Sequence, residues 1–361
     1  MLLFVLVLLP YILLISYAIF GLLKPGLKYC TVNSPETDLQ LPFVSVIVAA
    51  RNEEDCLPAL INDLQQQGYP SGNYEIIIVD DNSTDRTPRI IKESEGVLYL
   101  HSDGRGKKHA ISMGLDHAGG ELILTTDADC RLDPDWILTL ALCYNRFSPA
   151  LIIGSVDPAG GKSIFSKLLE LEFASLQAVT IGMAAAGRPL MCNGANLAFR
   201  KSLSTRYLEQ TKSKLLSGDD VFLLHHAKKS GGTIIVTDQA EATVKTRMPG
   251  SVFQFFRQRA RWTSKSFHYS DTDTIISALA TALANFAIVA AFITAIIIPG
   301  FRILLILLYI LKLIPDIILL AVYLKRKRKI NLLGCFLPLS VIYPFYIVLT
   351  FLISLLRRPI W

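Results

Sequence analysis

Charge is scarce in this sequence, and its distribution says more than its amount. Only 18% of the 361 residues are charged, against 52% hydrophobic, and the mean hydropathy is +0.42. Such a balance excludes a disordered chain and is too apolar for an ordinary soluble enzyme. Paired cysteine spacings are also missing, because the six cysteines stand at 30, 56, 130, 143, 192 and 335. This pattern suggests neither a zinc cluster nor a disulfide framework, and the expectation is reduced thiols in a cytosol-facing protein. No internal repeat is visible, which argues against a transporter or channel. The net charge of +6 is modest, and no nucleic-acid partner is expected.

The uncharged stretches lie at the two ends. Met1 to Leu23 carries no charge, and Lys24 and Lys28 follow it. About 20 apolar residues cross a bilayer as a helix, so residues 1–23 read as a membrane anchor. With no basic leader and no small-residue cleavage site, a signal peptide fits poorly. Toward the other end, Thr274 to Phe301 gives 28 uncharged residues and Ile330 to Leu356 gives 27. Between them, Arg302 to Lys325 is interrupted only by Lys312 and Asp316, which are four apart and can pair on one helix face. Residues 274–357 thus read as three spans, making four in all. The basic run Lys325 to Lys329 belongs on the cytosolic side by the positive-inside rule. Lys24, Lys28 and the segment between the first and second spans then face the cytosol too. Arg357 and Arg358 fall outside in this arrangement, against the rule. The expectation is an integral membrane protein, in the cell membrane, with a cytosolic central domain.

That central block, residues 41–250, alternates short apolar runs with helical periods. Strands are predicted at Phe43–Ala50, Glu75–Asp80, Val97–His101, Glu121–Thr126 and Leu151–Val156. Helices are predicted at Leu57–Gln67, Thr87–Glu95, Lys107–His117 and Asp135–Phe147. This alternation predicts an α/β fold, a mainly parallel sheet with helices on both faces. Sheets of this kind bind ligands at the carboxyl ends of their strands. Here those ends are polar: Arg51, Asn52, Glu53, Glu54, Asp55 after the first strand, Asp80 to Asp85 after the second, and Asp127 and Asp129 after the fourth. One such cluster is easily a solvated turn. Three on one edge would repel each other without a cation, and hard oxygen ligands suit Mg2+ or Mn2+, which would also hold a diphosphate.

The motifs then become specific. SVIVAARNEE (45–54), IVDDNSTDRT (78–87) and Asp127-Ala-Asp129 resemble the nucleotide-sugar half of membrane-bound family-2 glycosyltransferases with the GT-A fold. GKKHAISMG (106–114) resembles the family's Gly-Lys helix start, and NGANLAFR (193–200) its acceptor-side loop, with Asn193, Gly194 and Asn196. Gly218-Asp219-Asp220 stands where the family carries Glu-Asp, and Gln258-Arg-Ala-Arg261-Trp262 matches its Gln-x-x-Arg-Trp motif. The resemblance covers about 220 residues, and the layout of anchor, domain and spans is similar as well. Three positions depart from the family pattern: Asn82 for Gly, Ser112 for Asn and Asp219 for Glu. None removes a charge the chemistry needs.

The resemblance implies an inverting transfer of a sugar from a nucleotide, expected to be UDP, to a hydroxyl. A metal held by Asp129, assisted by Asp127, would neutralise the leaving diphosphate. Arg51, Asn52, Glu53 and Asp81 suit the nucleoside, and Lys107 at a helix start suits phosphate. Asp220 matches the family's general base, beside Asp219 on the acceptor side. Gln258, Arg261 and Trp262 share one face of a predicted helix, residues 251–269, where Arg261 could meet the diphosphate and Trp262 the acceptor. The bland reading of that helix is an amphipathic one, with Phe253, Phe255, Phe256 and Trp262 apolar and Arg257, Arg259 and Lys265 reaching lipid phosphates. The acceptor is expected to be a membrane lipid or lipid-linked glycan. A processive polysaccharide synthase, completed by a partner subunit or a second copy, is the alternative, and a catalytically silent nucleotide-sugar-binding subunit a third reading.

Overall fold

A computed structural model describes residues 2–24, 26, 28–32, 40–104, 106–204 and 219–356. Gly218, Arg357 and Arg358 lie outside the described residues, as does the side chain of Asp219. The chain divides into two compact units, Leu27–Ala159 with Met191–Arg247, and Met1–Gly26 with Gly160–Leu190 and Met248–Trp361.

The first of these is the α/β unit. Strands β1 (Val44–Ala50), β2 (Tyr74–Asp81), β3 (Val97–Ser102), β4 (Leu122–Asp127), β5 (Leu151–Gly154), β7 (Leu197–Arg200) and β8 (Ile234–Thr237) form a seven-stranded sheet in the order β3-β2-β1-β4-β7-β5-β8. Only β7 runs antiparallel to its neighbours. Val46 to Val48, Ile77 to Val79 and Leu122 to Leu124 are fully inaccessible, as continuous apolar runs in a two-face-covered sheet should be. A separate pair joins β6 (Val156–Pro158) to β9 (Val244–Thr246) in parallel. The helices are α2 (Leu57–Gln65), α3 (Thr87–Glu93), α4 (Lys107–His117), α5 (Trp136–Phe147) and, after β7, α7 (Asp219–Lys229). Helix α4 lies close on the sheet: a Cβ at Gly114 would stand 2.6 Å from Ile47 Cγ2. Each strand and helix predicted from Phe43 to Val156 is present within two residues at either end, except that the last strand breaks at Ser155 into β5 and β6.

The expectation of reduced thiols is overturned at one pair. Cys30 and Cys143 form a disulfide across 113 residues, both sulfurs buried. The segment 28–30 adds to the sheet edge, where Tyr29 bridges Val236 and the Cys30 N–H donates to the Val236 carbonyl at 2.9 Å. Chain packing, not spacing, brings Cys30 to α5. The cysteines at 56, 130, 192 and 335 are free thiols.

The second unit is helical: α1 (Leu2–Leu23), α6 (Ile164–Ala185), α8 (Val252–Ser266), α9 (Thr272–Ile297), α10 (Arg302–Arg326) and α11 (Phe336–Leu356). Among the described residues five helices are long and apolar enough to cross a membrane, the four expected and α6. Helix α6 does not add a span, because β5 before it and β7 after it pair in one sheet and must lie on one side of a bilayer. Lys167, Glu170 and Glu172 hid it in the sequence, and residues 160–190 belong with this unit rather than with the block 41–250. Both glutamates are buried. Glu170 pairs with Lys329 at 2.9 Å, so its charge is compensated. Helices α1 and α6 cross at Gly21 and Gly182 so closely that a Cβ on Gly21 would meet the Gly182 carbonyl oxygen at 1.9 Å. Lys312 and Asp316 do pair, at 2.7 Å, and the Tyr11 hydroxyl donates to the same carboxylate at 2.7 Å.

Candidate active site

The carboxyl ends of β1, β2 and β4 lie side by side in the α/β unit, so the polar turns that follow them meet. The turn after β1 needs a left-handed residue, and Asn52 supplies it with φ 55°. Its N–H donates to Ser83 Oγ at 2.9 Å, and its Oδ1 accepts from the Thr84 N–H at 2.8 Å, tying the first turn to the second. Asn82 also has positive φ, 59°, which explains both the family's Gly there and why Asn substitutes for it.

Asp81 ends β2 almost wholly buried, at 2% exposure. Its Oδ1 accepts from Ser102 Oγ at 3.1 Å and from the Gly106 N–H at 3.2 Å. Its Oδ2 has no hydrogen-bond donor, and Arg51 stands 3.6 Å from it. A buried carboxylate oxygen without a donor costs free energy unless a ligand supplies one. The same Gly106 begins α4, so the helix start that carries Lys107 is fixed against Asp81.

Lys107 pairs with Asp127 at the end of β4. Burial disfavours its ammonium, but Asp127 and, more weakly, Asp220 outweigh that and hold its pKa above the ordinary value. Asp129 is pushed up by burial and then by the neighbouring Asp127. Glu53 is pushed up to about 7 by burial and then by Asp129 and Asp127, with Arg247 acting the other way. Three carboxylates therefore crowd one spot with too little positive charge among them. Among the described residues no three His, Cys, Asp or Glu side chains form a ready metal cage. A hard divalent cation that keeps waters and phosphate oxygens needs only one or two carboxylates, and the donor set here fits one.

Asp220 reaches this edge from α7 through the turn at residues 193–196. Asn193 caps that turn by accepting from the Ala195 N–H at 3.0 Å. Thr125 Oγ1 donates to the Gly194 carbonyl at 2.8 Å, and the Gly194 N–H donates to Asp220 Oδ2 at 3.1 Å. A residue two before Asp127 thereby sets the place of Asp220. Asn196 is fully buried: its amide donates to the Ser155 and Ala242 carbonyls, both at 2.7 Å, and accepts from Trp136 Nε1 at 3.0 Å. It anchors the turn from beneath, with its side-chain hydrogen bonds used inside the protein.

Arg51, Glu53, Asp81, Lys107, Asp127, Asp129, Gly194 and Asp220 are thus linked within one unit. Arg247 joins them unforeseen; it sits just after β9 and acts on Glu53. Its only sequence sign was a second cation two residues after Lys245. Gln258, Arg261 and Trp262 belong to the helical unit, on α8, whose Ser251 cap accepts from the Gln254 N–H at 3.2 Å. Arg259 does not reach for lipid phosphates as the amphipathic reading had it. It is 5% exposed, because α6 offers it the buried Glu172, with Nε donating to Oε1 at 3.0 Å.

Residues 45–208 match the model of Glycosyl transferase family 2. Beta-monoglucosyldiacylglycerol synthase of a Nostoc species is 34% identical over 137 residues, 36% of this chain and 29% of that protein. Undecaprenyl-phosphate 4-deoxy-4-formamido-L-arabinose transferase of Edwardsiella ictaluri is 36% identical over 104 residues, 27% of this chain and 32% of that protein. The chain thus spans about a third of the length of these curated relatives. Among solved structures, the mannosyltransferase PcManGT of Pyrobaculum calidifontis, in complex with GDP-Man and Mn2+, superposes with a TM-score of 0.50. The match has 16% identity and covers 89% of this chain and 95% of that one. That likeness is one of fold.

Proposed function

We propose that residues 45–208, which match the model of Glycosyl transferase family 2, form the catalytic part of a membrane protein that moves a sugar from a UDP-sugar to a hydroxyl of a membrane lipid or lipid-linked glycan, with inversion. The observation that carries the reading is the convergence of Asp81, Lys107, Asp127 and Asp129 on one strand edge, with Asp220 brought to it through Thr125 and Gly194. The lipid acceptor is supported by the two curated relatives, whose names specify a diacylglycerol product and an undecaprenyl phosphate. The apolar helices α1, α9, α10 and α11 are long enough to place the chain in the membrane where such an acceptor dissolves.

Asp81 offers its unpartnered Oδ2 to an N–H or O–H of the nucleoside, with Arg51 beside it. Lys107 and the first N–H groups of α4 favour phosphate oxygens. Asp127 and Asp129 would hold Mg2+ or Mn2+, which when bound supplies positive charge next to the leaving diphosphate. Asp220, fixed by the Gly194 N–H, takes the acceptor's proton as its oxygen attacks the anomeric carbon. Gln258, Arg261 and Trp262 are assigned to the leaving group and acceptor. The catalytic unit is assigned to the cytosol by the Lys325 to Lys329 run. Complete burial of Cys30 and Cys143 shields their disulfide from thiol exchange there.

The test is direct. The purified full chain is incubated with Mn2+, a panel of UDP-sugars, and vesicles carrying diacylglycerol or a polyprenyl phosphate, and products are identified by mass spectrometry. A glycolipid with inverted anomeric configuration is the expected product. A retained configuration, or soluble polymer as the only product, would refute the reading.

A further inference from the structure

Arg259 interrupts the motif on α8, and its surroundings are unusual for a residue in the helical unit. Its guanidinium forks onto Glu172 of α6, Nε to Oε1 at 3.0 Å and Nη2 to Oε2. Tyr346 of α11 donates its hydroxyl to the same Oε1 at 2.7 Å. The third donor, Nη1, goes to Gln258 Oε1 at 2.8 Å. The guanidinium carbon lies 4.3 Å from the centre of the Trp262 ring and 4.9 Å from that of Phe255, and Phe173 of α6 meets the indole edge-on at 6.4 Å. Both charged side chains are nearly inaccessible, at 6% and 2%.

Removing two charges from water is costly, and a purely apolar contact of the same volume would hold these helices together at least as well. What the ion pair adds is direction. An arginine has five donors in a fixed plane, so anchoring one edge on Glu172 fixes where the other edge and the flat face point. Here the other edge meets Gln258 and the flat face meets Trp262. With its Oε1 accepting from Arg259, Gln258 is left to present its amide N–H2 as a donor, which suits an oxygen-bearing ligand.

We propose that Arg259, clamped by Glu172 and Tyr346, is a positioning residue for sugar transfer: it fixes the side-chain orientation of Gln258 and Trp262. The inference rests on the proposed function above, in which those two residues meet the leaving group and acceptor. Lysine in its place keeps the charge but cannot fork onto Glu172, reach Gln258 and lie flat on the indole at once. Glu172→Gln keeps the shape and removes the anchoring charge.

The experiment uses the purified full chain and the donor–acceptor pair that gives product in the panel above, with UDP as the binding probe. Arg259→Lys is expected to lower kcat by tenfold or more, while UDP affinity and donor KM stay within twofold of the parent. Glu172→Gln should show the same split, and the double variant should lose no more than the worse single one. Size-exclusion profile and thermal midpoint report folding for each. Parent-like kcat in Arg259→Lys, or a loss that vanishes when rates are normalised to folded protein, would overturn the proposal. Trp262→Ala separates this failure from that of the underlying reading. If Trp262→Ala retains full transfer, the assignment of the motif itself falls; if it loses transfer while Arg259→Lys does not, only the positioning inference falls.

Discussion

Replacing Asp220 by asparagine tests the central chemical assignment, because the structure predicts different sizes for its two consequences. Asp220 accepts two backbone hydrogen bonds, from Gly194 at Oδ2 and from its neighbour Val221 at Oδ1, 2.9 Å. Asparagine has one carbonyl oxygen, so one of those N–H groups loses its acceptor, at a cost of about 1–3 kcal/mol if it stays buried. The residue also begins α7, and there asparagine caps about as well as aspartate. Folding should therefore survive with a modest loss. A positioned general base is worth about 10²–10⁴-fold in rate, or roughly 2.7–5.4 kcal/mol of barrier at 1.36 kcal/mol per decade. UDP binding, assigned in the proposed function to Asp81, Lys107 and the Asp127 edge, should change little. Calorimetric titration with UDP and Mn2+, together with the transfer rate on the same preparation, separates the two effects. Transfer within threefold of the parent would refute the general-base assignment and leave Asp220 as a helix-start residue.

Asp129→Asn removes a carboxylate from the crowded edge, so Mn2+-dependent UDP binding should weaken tenfold or more; full transfer in excess chelator would sink the metal assignment. Glu53 is held near 7 in the folded chain against an ordinary 4.5, so the folded state binds more protons than the unfolded one between those values. Stability should therefore fall as pH rises from about 4.5 to 7 and level above it. The thermal midpoint of the metal-free parent should fall relative to that of Glu53→Gln over that window, and parallel curves would contradict the crowding. Alkylation of denatured, unreduced protein should label four cysteines, since Cys30 and Cys143 are joined. Breaking that 113-residue closure by Cys143→Ala should cost up to about 5 kcal/mol in the chain-entropy view; six labelled thiols, or an unchanged midpoint, would count against it. A cysteine engineered at Ser71 should escape impermeant reagents on intact cells, and efficient labelling there would reverse the cytosolic placement.

Local pattern carried the α/β unit a long way. Runs such as Val44 to Ala50 and Ile76 to Val79 are apolar on both faces, which commits them to a covered sheet, and the polar turns behind them mark its carboxyl edge. The apolar helices at 2–23, 272–297, 302–326 and 336–356 were legible for the same reason: length and hydropathy are local properties. What tertiary structure alone decided were the facts that join distant residues. Helix α6 looked like part of the α/β block because Glu170 and Glu172 interrupt its apolar surface; only their partners, Lys329 and Arg259, far along the chain, show that those charges are compensated. Cys30 and Cys143 pair because a short segment adds to the edge of β8. Asp220 is brought toward the carboxylates at the end of β4 through a turn held by Thr125, and Arg259 turned inward although its helix looked fit to face lipid. A sequence states the chemistry available at each position, but the energy of a buried charge or thiol depends on which residue folding brings beside it.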